Sequence, residues 1–243
     1  MKPRLFALIL LLCVPRIALA DNAAGAYIDV VSDRANASEI ARECDAILER
    51  IAKDYGKPPV VWRRFTVYVS GGGGGGYCTY QGNRVGRVVV RTQYPTCVGG
   101  TLDHELQHAY LFYLLQKVPY LAINEGLSEL VSEKKRDGQR LAMYNRAKSG
   151  RTVPLATILK LYDYPRTDSL SVYTQGYSVG EFLILHWDLP RYIKFVEAVN
   201  TSGDYDRELR IFYHYENLRA FESAWLDWVK AGQHYNEVKR LNP

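Results

Sequence analysis

Residues 104–108 read HELQH, inside the longer stretch TLDHELQHAYLFYLL at 101–115. On a helix, residues i and i+4 share one face, so His104 and His108 would aim their imidazole nitrogens at one point. Glu105 is displaced around the helix from both, where it can approach a metal's water without ligating the metal. A hydrolytic zinc takes three protein ligands and keeps a fourth position open, so two histidines are not enough. The segment LAINEGLSEL at 121–130 supplies a candidate third ligand. Glu125, near the start of that second helix, can complete a His-His-Glu set for one zinc ion per chain. Glu129, one turn further on the same face, can accept a hydrogen bond from a ligand histidine and so fix its tautomer.

These residues need elements to carry them. Thr101–Lys117 reads as a helix with Thr101 as a possible N-cap and Pro119 as its stop. Ala122–Arg136 follows as a second helix, with Lys134, Lys135 and Arg136 as its solvated, dipole-compatible end. Gln139–Lys148, Ser169–Trp187, Pro190–Val199 and Asn217–Lys230 continue the helical pattern. Upstream, the alternating runs at 26–32 and 64–70 read as strands, as does the run GRVVVR at 86–91, and 37–56 reads as an amphipathic helix ending at Gly56. Strands early and helices late predict an α+β fold. A small mixed or antiparallel sheet with helices comes first, followed by a mainly helical lobe that carries the candidate site. The segment 21–243 reads as one domain, with 21–100 strand-rich and 101–243 helical. Gly71–Gly76 has no side chains to pack and reads as a flexible connection or a mobile flap beside a site. No Gly-Lys-Ser/Thr follows it, which excludes a phosphate-binding loop.

The chain of 243 residues, 47% hydrophobic and 23% charged, is long enough for a sizeable core and has the composition of a folded protein. MKPRLFALILLLCVPRIALA at 1–20 has basic residues, a short apolar run and a small-x-small end. It reads as a cleavable signal peptide, which predicts a secreted or periplasmic protein with no stable membrane anchor after cleavage. Removing Lys2, Arg4 and Arg16 takes the 31 basic residues to 28 against 26 acidic ones. A balance of +2 gives no reason to expect a nucleic-acid partner. Export makes a disulfide possible. Cys78 and Cys97 are the expected pair, and Cys44, on an apolar helical stripe, is expected to be a buried free thiol. Trp225 and Trp228 read as a core stripe, and His186 as a packing or capping residue.

HELQH followed by LAINEGLSEL resembles the gluzincin metallopeptidases, specifically their peptidase-MA-like branch. That pattern has HExxH, a short loop with Pro, and an E-G-x-x-E/D helix. YTQGYSVGEFLI at 173–184 is similar to the branch's downstream Tyr-x-Gln helix, and FESAWLDWV at 221–229 to its acidic-Trp closing helix. The resemblance runs from about Arg87 to Val229. It implies zinc on His104, His108 and Glu125, with Glu105 as general base and then proton donor. It further implies Tyr173 as oxyanion donor, with Tyr177 as the alternative. Glu129 stands where many gluzincins have Asp. The activity implied is zinc-dependent hydrolysis of amide bonds in a peptide or protein substrate. The strand Arg87–Arg91 is expected to be an edge strand that pairs with that substrate. The rival is a catalytically inactive, zinc-stabilised binding protein of the cell envelope, against which the intact Glu105 argues.

Overall fold

The computed structural model of the chain describes residues 20–33, 36–58, 64–71, 75–82, 84–91, 100–132, 136–166 and 168–232. The expected signal segment, apart from Ala20, lies outside them, as do Cys97, His234, Lys134, Lys135 and Gly72–Gly74. The fold is α+β. Five strands form one mixed sheet in the order β1-β2-β3-β5-β4. They are β1 (Asp21–Ala24), β2 (Ile28–Ser32), β3 (Phe65–Val69), β4 (Gly76–Gln81) and β5 (Arg84–Val90). β2, β3 and β5 are parallel to one another, while β1 and β4 run antiparallel at the two ends.

The register explains which face is covered. Ile28 pairs with Phe65 and Val30 with Val67, and Val67 and Val69 pair onward with Val88 and Val90. All seven are buried, while Tyr68, on the opposite face, is exposed. Period-2 alternation thus gives one apolar face, and two helices pack on it, α1 (Ala37–Asp54) and α2 (Thr101–Leu115). Cys44 lies on the buried stripe of α1 with Ile40, Ile47 and Ile51, and it is in no disulfide. Cys78 is in none either, so the expected bridge to Cys97 is not seen.

α2 is buried on nearly every side, from Leu102 to Tyr113. A helix buried on nearly all sides belongs in the interior, and α2 packs against the sheet and α1. Its start is Gly100 rather than a Thr101 cap, and it ends at Leu115, before Pro119, because Gln116 turns into the left-handed region at φ 56°. Next comes α3 (Leu121–Val131), which stops short of the basic residues expected to end it. Arg136 instead opens α4 (Arg136–Lys148). The remaining helices are α5 (Leu155–Ile158), α6 (Leu170–His186), α7 (Leu189–Ser202), α8 (Tyr205–Tyr213) and α9 (Leu218–Lys230). Trp225 and Trp228 are core residues on α9, and the Trp225 Nε1 donates to Ser178 Oγ on α6 at 3.0 Å. His186 packs on Phe182 with ring centroids 4.4 Å apart and meets the Phe182 carbonyl at 2.8 Å.

Two features join α6 to its neighbours. The first is backbone contact with α3. A Cβ on Gly126 would stand 2.3 Å from the Gly176 carbonyl carbon, and one on Gly176 would stand 2.0 Å from the Ala122 oxygen. Neither helix can carry a side chain at the crossing. Gly126→Ala is therefore expected to destabilise the fold by at least the roughly 1–3 kcal/mol of overpacking, read as a lowered midpoint in denaturant unfolding. The second is a buried ion pair between α4 and α6. Arg140 Nε and Nη2 reach Glu181 Oε1 at 2.8 and 2.5 Å, and Tyr177 donates to the same oxygen at 2.8 Å.

The strand expected to be an edge is not one. β5, which contains Arg87–Val90, lies between β3 and β4, and β4 forms the edge. β4 includes the last glycine of the run, Gly76, which pairs with Val90.

Candidate metal centre

α2 and α3 meet so that one turn of each supplies the site. His104 Nε2 lies 3.3 Å and His108 Nε2 3.5 Å from Glu125 Oε2. One donor atom from each of the three residues falls within 4.8 Å of the others, and the group can hold a metal ion. His108 and Glu125 are buried and His104 is largely so. The Glu125 Oε2 is buried yet accepts no hydrogen bond of good geometry, which leaves its lone pairs turned toward the two imidazoles.

The far side of each imidazole is also held by α3. Ser128 Oγ lies 3.0 Å from His108 Nδ1, and Glu129 Oε1 lies 3.5 Å from His104 Nδ1. Glu125, Ser128 and Glu129 are spaced i, i+3, i+4, so they share one helix face opposite the i, i+4 pair of α2. With both Nδ1 atoms engaged outside, both Nε2 atoms are left to face Glu125. Glu129 is itself fixed: Gln139 Nε2 donates to its Oε2 at 2.9 Å, and Thr174 donates to Gln139 Oε1 at 3.0 Å. The chain of contacts thus ties the His104 ring to α4 and α6. Removing such an outer partner typically weakens metal binding about 10–100-fold. Ser128→Ala is expected to do so here, measured by competition with a chromophoric chelator.

Charge points the same way. Glu105, Glu125 and Glu129 are each at most 5% exposed and lie within one small region. No lysine or arginine lines the adjoining cavities among the described residues. Buried carboxylates in such numbers call for a cation. Burial by itself would disfavour a charged His108, but the Glu125 carboxylate beside it overrides this and raises its pKa. Burial would likewise raise Glu125, but the neighbouring imidazoles and the Tyr164 hydroxyl hold it well below the usual carboxylate range.

Two cavities, of about 480 and 360 Å³, meet at the centre and share Gly76, His104, Glu105 and Tyr173. The larger is bordered by Thr101, Ser132, Gln139 and Leu170. The smaller has an aromatic wall of Tyr77, Tyr80, Tyr162 and Tyr164. Gly76 brings the edge strand down onto Glu105. A Cβ there would stand 2.7 Å from the Val89 carbonyl oxygen and 2.8 Å from Glu105 Cγ. The glycine run therefore contributes one position where a side chain has no room.

Of the residues singled out in the sequence, His104, Glu105, His108, Glu125, Glu129 and Tyr173 come together. Tyr177 does not. It is fully buried with its hydroxyl on Glu181, pointing away from the cleft. Sequence reading passed over Ser128, Gln139 and Tyr164. Ser128 carried a usable signal, three residues after Glu125 on the same face. Tyr164 carried none, because it lies on an irregular connection. Its hydroxyl donates to Glu125 Oε1 at 2.5 Å and lies 2.8 Å from the Tyr173 hydroxyl.

In comparisons with known proteins, the chain matches no family model and no curated protein.

Proposed function

We propose that this chain is an exported, zinc-dependent metallopeptidase that hydrolyses peptide bonds, with Glu105 as its general base. The observation that carries the reading is the convergence of His104, His108 and Glu125 beside Glu105, in a cleft that runs under an edge strand. Two imidazoles and one carboxylate are a donor set of catalytic zinc, which keeps a fourth position for water or substrate. Donors about 2.1 Å from a tetrahedral ion stand about 3.4 Å apart, close to the 3.3 and 3.5 Å between Glu125 Oε2 and the two Nε2 atoms.

When bound, zinc would supply a water of lowered pKa and a Lewis acid for the substrate carbonyl. The chain's own residues would do the rest. Glu105 accepts the water's proton as the carbonyl carbon is attacked, then delivers it to the leaving amine. Tyr173, at the junction of the two cavities, would donate to the developing oxyanion once its hydroxyl turns from Tyr164, 2.8 Å away, to the substrate. The free edge of β4 offers backbone groups to an extended peptide, which the strand Arg87–Arg91 cannot do from inside the sheet. Export rests on the pattern of residues 1–20. Among the described residues no helix is long and apolar enough to cross a membrane.

The test is metal content and hydrolysis of an unbiased peptide library by the purified chain. Measurements are made as isolated, after chelation, and after zinc is restored. One zinc per chain, with activity lost and regained alongside it, is the expected result. Zinc held firmly with no hydrolysis of any peptide would sink the peptidase reading in favour of a binding protein. No zinc after reconstitution would sink the metal centre as well.

A further inference from the structure

The two hydroxyls on the aromatic wall can be assigned donors and acceptors by inventory. A phenol has one proton to donate, and an ionised carboxylate can only accept. Tyr164 Oη is 2.5 Å from Glu125 Oε1, so the Tyr164 proton goes to Glu125. The 2.8 Å contact between the two hydroxyls must then use the proton of Tyr173. The result is a directed chain, Tyr173 to Tyr164 to Glu125 Oε1, and it ends on the oxygen that does not face the histidines. The rings of Tyr164 and Tyr173 also lie nearly parallel, 25° apart with centroids at 5.8 Å.

The backbone around Tyr164 suits this task. The connection from α5 to α6 is pinned before Tyr164 by Leu121 N donating to the Leu161 carbonyl at 2.7 Å. It is pinned after Tyr164 by Arg146 and Ser171, which both bond Asp168. Between these anchors Tyr164 is 48% exposed. An exposed tyrosine whose hydroxyl nevertheless reaches a buried carboxylate is held there by that contact and by the neighbouring ring of Tyr173.

We propose that Tyr164 is a positioning residue for the metal ligand. By occupying Oε1 it makes Glu125 present Oε2 alone to the ion, and Tyr173 strengthens the hold by donating to Tyr164. A carboxylate without that restraint can rotate and offer both oxygens, which alters the ion's coordination and eases its loss. The inference rests on the metal-centre part of the reading above and does not need the peptidase part.

The experiment uses the mature chain loaded with Zn²⁺ and, separately, with Co²⁺ as a spectroscopic probe. Wild type, Tyr164→Phe and Tyr173→Phe are compared. Phenylalanine keeps the ring and removes only the hydroxyl, and thermal unfolding of each variant checks that the fold is kept. Tyr164→Phe is expected to release Zn²⁺ to a chelator about 10–100-fold faster than wild type, the usual effect of losing an outer partner. Its Co²⁺ visible spectrum is expected to shift. Tyr173→Phe is expected to change the release rate in the same direction by a smaller factor, since it removes only the polarising second hydroxyl. Release rates and Co²⁺ spectra equal to wild type in Tyr164→Phe would overturn the proposal. So would faster release with an unchanged spectrum, the mark of general loosening. A wild type that takes up neither ion overturns it together with the metal centre. Metal binding without peptide hydrolysis removes the peptidase reading alone, and the release rates and spectra still decide this one.

Discussion

Glu105→Gln is expected to lower kcat/KM for peptide hydrolysis by about 10²–10⁴-fold, the range for a lost general acid–base group, while zinc content stays at one ion per chain. Glutamine keeps the shape of the side chain and removes its ability to take a proton. Glu105 lines both cavities at their junction but is not one of the three residues that converge as metal donors, so the metal should not notice the change. The measurement is hydrolysis of a cleaved library peptide alongside metal analysis of the same preparation. Activity within a few-fold of wild type would remove Glu105 from the chemistry. Loss of zinc would mean that it ligates or supports the ion instead.

The second large effect lies away from the cleft. Arg140→Leu is expected to destabilise the folded chain by about 3–5 kcal/mol, because it leaves Glu181 buried and unpaired in charge. Arg140 and Glu181 are 7% and 5% exposed, and two guanidinium nitrogens converge on one carboxylate oxygen. Replacing both partners, as in Arg140→Leu with Glu181→Leu, is expected to recover most of the loss, since a buried pair is often no better than an apolar one of similar volume. Urea unfolding at fixed zinc concentration measures both. A single variant as stable as wild type would show that water reaches the pair.

The helices and the site differ in how far the sequence exposed them. The candidate ligand set was readable because both halves sit on helices, where spacing converts directly into geometry: i and i+4 for His104 and His108, then Glu125 and Glu129 one turn apart on α3. Strands β2, β3 and β5 were readable, the first two from alternation. β1 and β4 were not, since DNAA and GYCTYQ alternate weakly and begin with small or polar residues. Missing β4 is also what made β5 look like an edge. Tyr164 was out of reach because nothing periodic governs the 159–169 connection; its place depends on how α5 and α6 are joined in three dimensions. Tyr173 and Tyr177 are one helical turn apart on α6, yet only the packing of α3 and α4 decides which one enters the cleft.

The contact of Gly126 with Gly176 has a consequence for how the molecule breathes. With two backbones touching and no side chains between them, α3 and α6 have no soft layer along which to slide at that point. The segments 122–126 and 173–177 should therefore open together or not at all, and their amides should exchange with deuterium as one late-opening unit. The candidate ligand Glu125 rides on one backbone of that unit and Tyr173 on the other, and both face the same cavity. The floor of the cleft between them is thus two peptide chains in contact, which thermal motion can scarcely stretch.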